Sequence, residues 1–116
     1  MIPPVYQTLM AAPAVTAIAG DRIHGSGYST QGTDQPYIVW FTMITPYNTL
    51  SCPPDSFSNR VQIDCYSRIE PQARQLFEAV MGAIEEFADM NFAMPEYEDK
   101  TGLYKWTLDF GWIVSR

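Results

Sequence analysis

Positive charge is scarce in this sequence. Seven Lys and Arg stand against thirteen Asp and Glu in 116 residues, giving a net charge of −6. From Glu78 to Asp99 there are seven carboxylates and no Lys or Arg. Affinity for nucleic acid comes mainly from Lys and Arg displacing counterions, so direct and specific DNA or RNA binding is excluded. The ordinary reading of the acidic run is a solvated helix face, and the sharper one is an acidic wall that repels nucleic acid. Cysteine is equally sparse: Cys52 and Cys65 have no CxxC spacing and only one histidine, His24, to join them, which argues against a zinc site. Cys65 reads as a small core residue, and Cys52 as a loop thiol with no activating neighbour. No apolar run reaches the roughly 18 to 20 residues of a membrane helix. No Lys or Arg precedes the first apolar residues, and Pro3, Pro4 and Pro13 interrupt them, so no secretory leader is expected and the chain should stay in a cytoplasm.

Apolar residues, by contrast, are plentiful. They make up 47% of the chain while charged residues make up 17%, against about 25% charged in typical soluble proteins. A chain of this length is one domain able to hide roughly two-thirds of its unfolded surface. It has apolar surface to spare, and self-association is one way to cover it.

The organising stretch is Arg60 to Phe87. Val61, Ile63 and Cys65 alternate with Arg60, Gln62 and Asp64, the period of a strand with one buried face, running to about Tyr66. Pro71 suits the first turn of a following helix. Ala73, Leu76, Phe77, Val80, Met81, Ile84 and Phe87 then recur at the steps of an apolar helix stripe.

Before this stretch, Val5, Tyr6, Leu9 and Met10 form one side of a short helix. Pro13 stops it and opens a second, closed by Gly20. Gly25 to Gln35 is polar and reads as a mobile surface loop. Tyr37 to Thr45 is a strand entered at Pro36 and apolar on both faces, with Tyr37, Val39, Phe41 and Met43 on one and Ile38, Trp40 and Ile44 on the other. A half-exposed strand should alternate, so its second face must be covered, either by the N-terminal helices or by a neighbouring subunit. Pro46 to Asn59 is a long connection in which Leu50 and Phe57 would sit awkwardly in water. It reads either as an arm that orders against a partner or as a disordered loop. Beyond the long helix, Asn91 is the expected stop. Phe92 to Glu98 forms a strand whose Pro95 suggests an edge or a bulge, and Asp99 to Gly102 turns the chain. From Tyr104 to Val114 every even residue is apolar, giving a long half-buried strand. The expected fold is therefore α+β: a mostly antiparallel four-stranded sheet covered by one long amphipathic helix, with short N-terminal helices.

No catalytic constellation is visible, and no cofactor is expected. His24 has no Asp or Glu at a spacing that would orient it as a base. Glu96, Glu98 and Asp99 would meet Asp109 across the last hairpin, but hard-cation loops carry denser oxygen ligands, and solvent-facing carboxylates are the simpler reading. Gly25, Gly27 and Gly32 lack the strand-to-helix setting and the Lys of a phosphate loop.

Five segments in order resemble the small tail-completion, or tail-terminator, proteins of long-tailed bacteriophages. They are PAVTAIAGDRI (Pro13 to Ile23), QPYIVW (Gln35 to Trp40), VQIDCYS (Val61 to Ser67), ARQLFEAVMGAIE (Ala73 to Glu85) and YKWTLDFGWIV (Tyr104 to Val114). They span nearly the whole chain. That family often has Asp, a natural helix cap, immediately before PAV, where this sequence has Ala12. The resemblance implies a structural assembly protein without catalytic residues. It implies a ring, commonly hexameric, at the head-proximal end of the tail tube, assembled in the cytoplasm of an infected bacterium and found in the virion neck. The implied partners are other copies of the chain, the tail tube protein and a head-completion or connector protein, with DNA passing through. On this reading Tyr28, Trp40, Tyr47, Leu50 and Phe57 are candidates for the assembly interface, and Glu85, Glu86 and Asp89 for an acidic lumen. The competing expectation is a small dimeric α+β ligand-binding protein or cofactor-free enzyme, with Tyr104, Trp106 and Trp112 lining an aromatic pocket.

Overall fold

Alternation in the strands and a 3.6-residue stripe in the long helix produce the expected α+β arrangement, with one strand more than the pattern announces. The computed structural model describes residues 4–25, 36–46 and 56–115, and their side chains within 4–25, 36–42 and 60–112. The central parts of the expected surface loop and arm lie outside the described residues. Two short helices, α1 (Val5–Met10) and α2 (Pro13–Ala19), lead into β1 (Ile23–His24), β2 (Tyr37–Pro46) and β3 (Ser56–Ser67). Then come α3 (Glu70–Ile84), β4 (Asp89–Glu98) and β5 (Leu103–Ser115). The sheet order is β1-β2-β3-β5-β4. β2, β3, β5 and β4 pair antiparallel, while the additional β1 pairs parallel to β2 through Ile23 opposite Ile38 and His24 opposite Val39. Two residues carry no readable period, which is why β1 is invisible in the sequence.

The core lies between the sheet and the helices. Val61, Ile63 and Cys65 of β3, Leu108 and Phe110 of β5 and Ile38 of β2 are fully buried beneath Leu76, Val80 and Ile84 of α3. Each large aliphatic side chain hidden in this way contributes about 1.5 to 3 kcal/mol of transfer free energy. Val5 and Leu9 of α1 and Val15 and Ala19 of α2 join the same continuous cluster. The N-terminal helices thus pack beside α3, on the face it already covers.

Several local devices hold these elements in place. Ala12 caps α2 without a side-chain hydrogen bond, as expected where an Asp is missing. Gly20 takes φ +60° and donates its N–H to the Thr16 carbonyl at 2.9 Å, a backbone conformation that L side chains resist. Arg22 then clamps the chain, donating from Nε to the Pro36 carbonyl at 2.8 Å and from Nη2 to the Ile18 carbonyl at 3.3 Å. At the start of α3 the cap residue Ile69 has no capping side chain. Ser67, two residues earlier, accepts the Ile69 N–H at 3.1 Å and donates to Gln72 Oε1 at 2.7 Å.

Three boundaries differ from expectation. β2 and β3 extend into the connection expected to be loop, so the Phe57 backbone is in β3, opposite Pro46 and Val114. The helix ends at Ile84, and Phe87 is exposed, its ring stacked on Trp112 with centroids 6.1 Å apart. The last turn of α3 has no basic residue, and Glu85 and Glu86 follow it; carboxylates at the negative end of a helix dipole disfavour further turns. Asn91 does not stop the helix, because it lies within β4 at a bulge between Met90 and Phe92. Pro95 is on an edge strand, as its missing N–H requires.

Burial raises the pKa of the Cys65 thiol far above its ordinary value, with the Asp64 carboxylate adding to the effect, and raises that of Tyr66 in the same way. Because the thiolate is the reacting species, native Cys65 in a Cys52→Ser variant should stay unmodified by a thiol reagent at pH 8 and react only after denaturation. Rapid modification of the folded protein would contradict this. Both groups ionise more readily unfolded, at their ordinary 9.0 and 10.0, so the stability they contribute is present below those values and is lost as pH rises beyond them.

Candidate assembly surfaces

The sheet's other face carries no helix among the described residues. Cross-strand register places Tyr37, Val39 and Phe41 of β2, Arg60, Gln62, Asp64 and Tyr66 of β3, and Lys105, Thr107 and Asp109 of β5 on this side, with Phe92, Met94 and Glu96 of β4 beside them. Of the β2 side chains on this side Tyr37 is buried against Tyr66 while Phe41 is exposed, and the N-terminal helices pack on the opposite face.

Polar groups in the middle of this face are closed on one another. Asp109 is 3% exposed and accepts from Arg60 Nη2 at 2.7 Å and from Asn91 Nδ2 at 2.8 Å. Asp64, also buried, accepts from Thr107 Oγ1 at 2.9 Å and from Gln62 Nε2 at 3.3 Å. Lys105 Nζ lies 3.6 Å from Glu96 and 3.7 Å from Glu98, and 6.0 Å from the centre of the Tyr66 ring, which stacks on Tyr37. Apolar side chains flank this network: Phe41 is 37% exposed, Phe92 44% and Met94 52%.

A second surface lies across the helices. Pro4, Gln7, Thr8 and Ala11 of the α1 region face Gly82, Ala83 and Phe87 across an open groove of about 470 Å³. At the turn from α3 into β4, Glu85, Glu86 and Asp89 border one shallow hollow of about 240 Å³ with Gly111. The three carboxylates named as a lumen candidate are thus neighbours on the surface.

The other anticipated residues are dispersed. Trp40 is on the helix-covered side, packed against the core, and its indole N–H is buried without a hydrogen-bond partner among the described residues. Tyr28, Tyr47 and Leu50 fall outside the described residues. The suggested aromatic pocket does not form, because each ring is taken by a different neighbour: Tyr104 by Tyr97 at 4.8 Å, Trp106 by Phe77 at 4.3 Å and Trp112 by Phe87. The hairpin carboxylates do not gather either, since Glu96 and Glu98 turn to Lys105 while Asp109 turns to Arg60. Among the described residues no group of three or more His, Cys, Asp or Glu is arranged to hold a metal ion, and no helix is long and apolar enough to cross a membrane.

The sequence profile of the family described as Tail completion protein gp17 matches residues 3–115. The chain belongs to this family. It is accordingly a structural tail-completion protein of a phage-type virion, acting where tail meets head, and neither an enzyme nor a ligand-binding protein. Among solved structures, a chain from the virion of a native gene transfer agent particle is similar at a TM-score of 0.75 with 14% identity, over 97% of this chain and 92% of that one. This shows a shared fold. No curated protein is similar enough to this chain to count as a match.

The polar network yields a stability prediction. Asp109→Ala leaves Asn91 and Arg60, both exposed, free to turn their donors to water, and should lower the unfolding free energy by roughly 1 kcal/mol or less. Arg60→Ala leaves the buried Asp109 carboxylate without its cationic donor and should cost more, about 1 to 3 kcal/mol. Urea titration of both variants checks the order, and an equal or reversed pair would refute it.

Proposed function

We propose that the chain closes into a ring, hexameric by the family resemblance, on the head-proximal end of the tail tube. There it stops further tube polymerisation and offers its opposite surface to a head-completion or connector protein. The observation that carries this reading is the family match across residues 3–115. It is supported by a sheet whose second face is apolar at its margins and has no helix over it among the described residues. A closed ring of head-to-tail contacts lets one surface of each copy meet a different surface of the next and prevents an open filament. Assembly takes place in the cytoplasm of the infected bacterium.

Glu85, Glu86 and Asp89, adjacent and exposed, are proposed to face the channel, where a negative wall lets DNA slide without adhering. The candidate contacts Tyr28, Tyr47, Leu50 and Phe57 lie on or beside the two connections flanking β2, from which they would reach neighbouring subunits or the tube.

Mixing the purified chain with polymerising tube protein tests the proposal by electron microscopy and light scattering. Rings capping one end of each tube, with shorter tubes as the chain is added, are expected. A persistent compact dimer that leaves tube length unchanged would sink it. A ring reconstruction with the three carboxylates on its outer rim would sink the lumen assignment alone.

A further inference from the structure

The sheet ends in two unlike edges, and neither is fully paired among the described residues. At one end β1 accompanies β2 only at Ile38 and Val39. The Ile38 N–H donates outward to the Arg22 carbonyl at 2.9 Å, so by strand alternation Thr42 and Ile44 also turn their main-chain groups outward. No strand lies beside them among the described residues. At the other end β4 is an edge over its whole length. Proline is accommodated in a sheet where its nitrogen faces away from the neighbouring strand. With Pro95 opposite Trp106, Ala93 and Tyr97 therefore share its outward orientation. Four of the exposed large apolar side chains, Met90, Phe92, Met94 and Tyr97, are on this strand and lie on both its faces.

We infer that the contact between copies is β4 of one subunit laid along the edge of β2 in the next, beyond Val39 where no described strand accompanies it, continuing one sheet from subunit to subunit. This rests on the ring reading above and specifies its interface. Charge selects the pairing. Two copies of β4 side by side would bring Asp89, Glu96 and Glu98 together with their counterparts, and two prolines would each remove a donor. β2 has no charged residue from Tyr37 to Pro46, so it sets no like charge against those of β4. Apolar complementarity follows the same line, since Phe41 of the neighbour would lie beside Phe92 and Met94. Direction is fixed as well: β2 runs parallel to β5 and opposite to β4. Copies related by a ring rotation keep their orientation, so the two edges meet antiparallel. Because the edges differ and lie at opposite ends of the sheet, the contact is head-to-tail.

Hydrogen–deuterium exchange of the unaltered chain, free and assembled on tubes, reads the contact directly. The amides of Thr42 and Ala93 should exchange roughly tenfold or more slowly in the ring. Thr42→Pro and Ala93→Pro, each placing proline at an outward-facing position, should keep the circular dichroism and thermal midpoint of the free chain and fail to form rings. Unchanged exchange at both amides in a formed ring, or normal rings from both variants, would overturn the edge pairing and leave the ring standing. Absence of any ring from the unaltered chain with tube protein would overturn both. If a proline variant loses its fold, the exchange measurement alone decides.

Discussion

Every helix among the described residues packs on the same face of the sheet, and that one-sided cover constrains the rest. The apolar stripes of α1, α2 and α3 meet in one continuous cluster with the inward residues of β2, β3 and β5. An amphipathic helix has only one stripe to bury, so a chain that spends all three on one side has none for the other. The far side of the sheet must then be stable by its own composition, or be covered by something other than these helices.

It does both in part. Its centre is polar and satisfied: Asp64 and Asp109 are largely buried by their neighbours within the sheet, and each accepts two hydrogen bonds from side chains on adjoining or nearby strand positions. Buried carboxylates are tolerable when their acceptor sites are filled this way and costly when they are not. Around that centre stand Phe41, Phe92 and Met94, well exposed. The face can thus exist alone without collapsing, while its margins retain surface that association would remove from water.

Much of this was legible in the residues. The alternation of Val61, Ile63 and Cys65, Pro71 at the helix start and the even-numbered apolar run from Tyr104 through Trp112 translate directly into β3, α3 and β5, because burial on one face imposes a period on sequence. The double-sided apolarity of β2 translates into Ile38 and Trp40 packed with the core on the helix side, and Tyr37 and Phe41 on the other, of which Phe41 is exposed. What resisted reading depended on contacts distant in sequence. Asn91 resembles a helix stop, yet its amide is committed to Asp109, 18 residues away, through a bulge. Ser67 caps α3 from inside the strand rather than from the adjacent position. Phe87 continues the stripe in sequence, but the helix has already ended and the exposed ring stacks on Trp112. The aromatic residues of β5 have the spacing of either a core or a pocket, and only their separate stacking partners decide for packing.

The edges show how such a chain can assemble without aggregating. A long apolar edge strand is a template for uncontrolled pairing, and β4 is one. Pro95 removes an outward donor near the middle of it, and Asp89, Glu96 and Glu98 add like charge against a second copy of the same strand. Any strand laid along β4 therefore gains fewer main-chain bonds than a full ladder provides, and a single contact is weak. Weak heterologous contacts become durable only when the last one closes a ring, since closure adds an interface without the translational entropy cost of recruiting another copy. In the proposed ring that arithmetic would keep free copies separate and make the tube end, by gathering several at once, the place of closure.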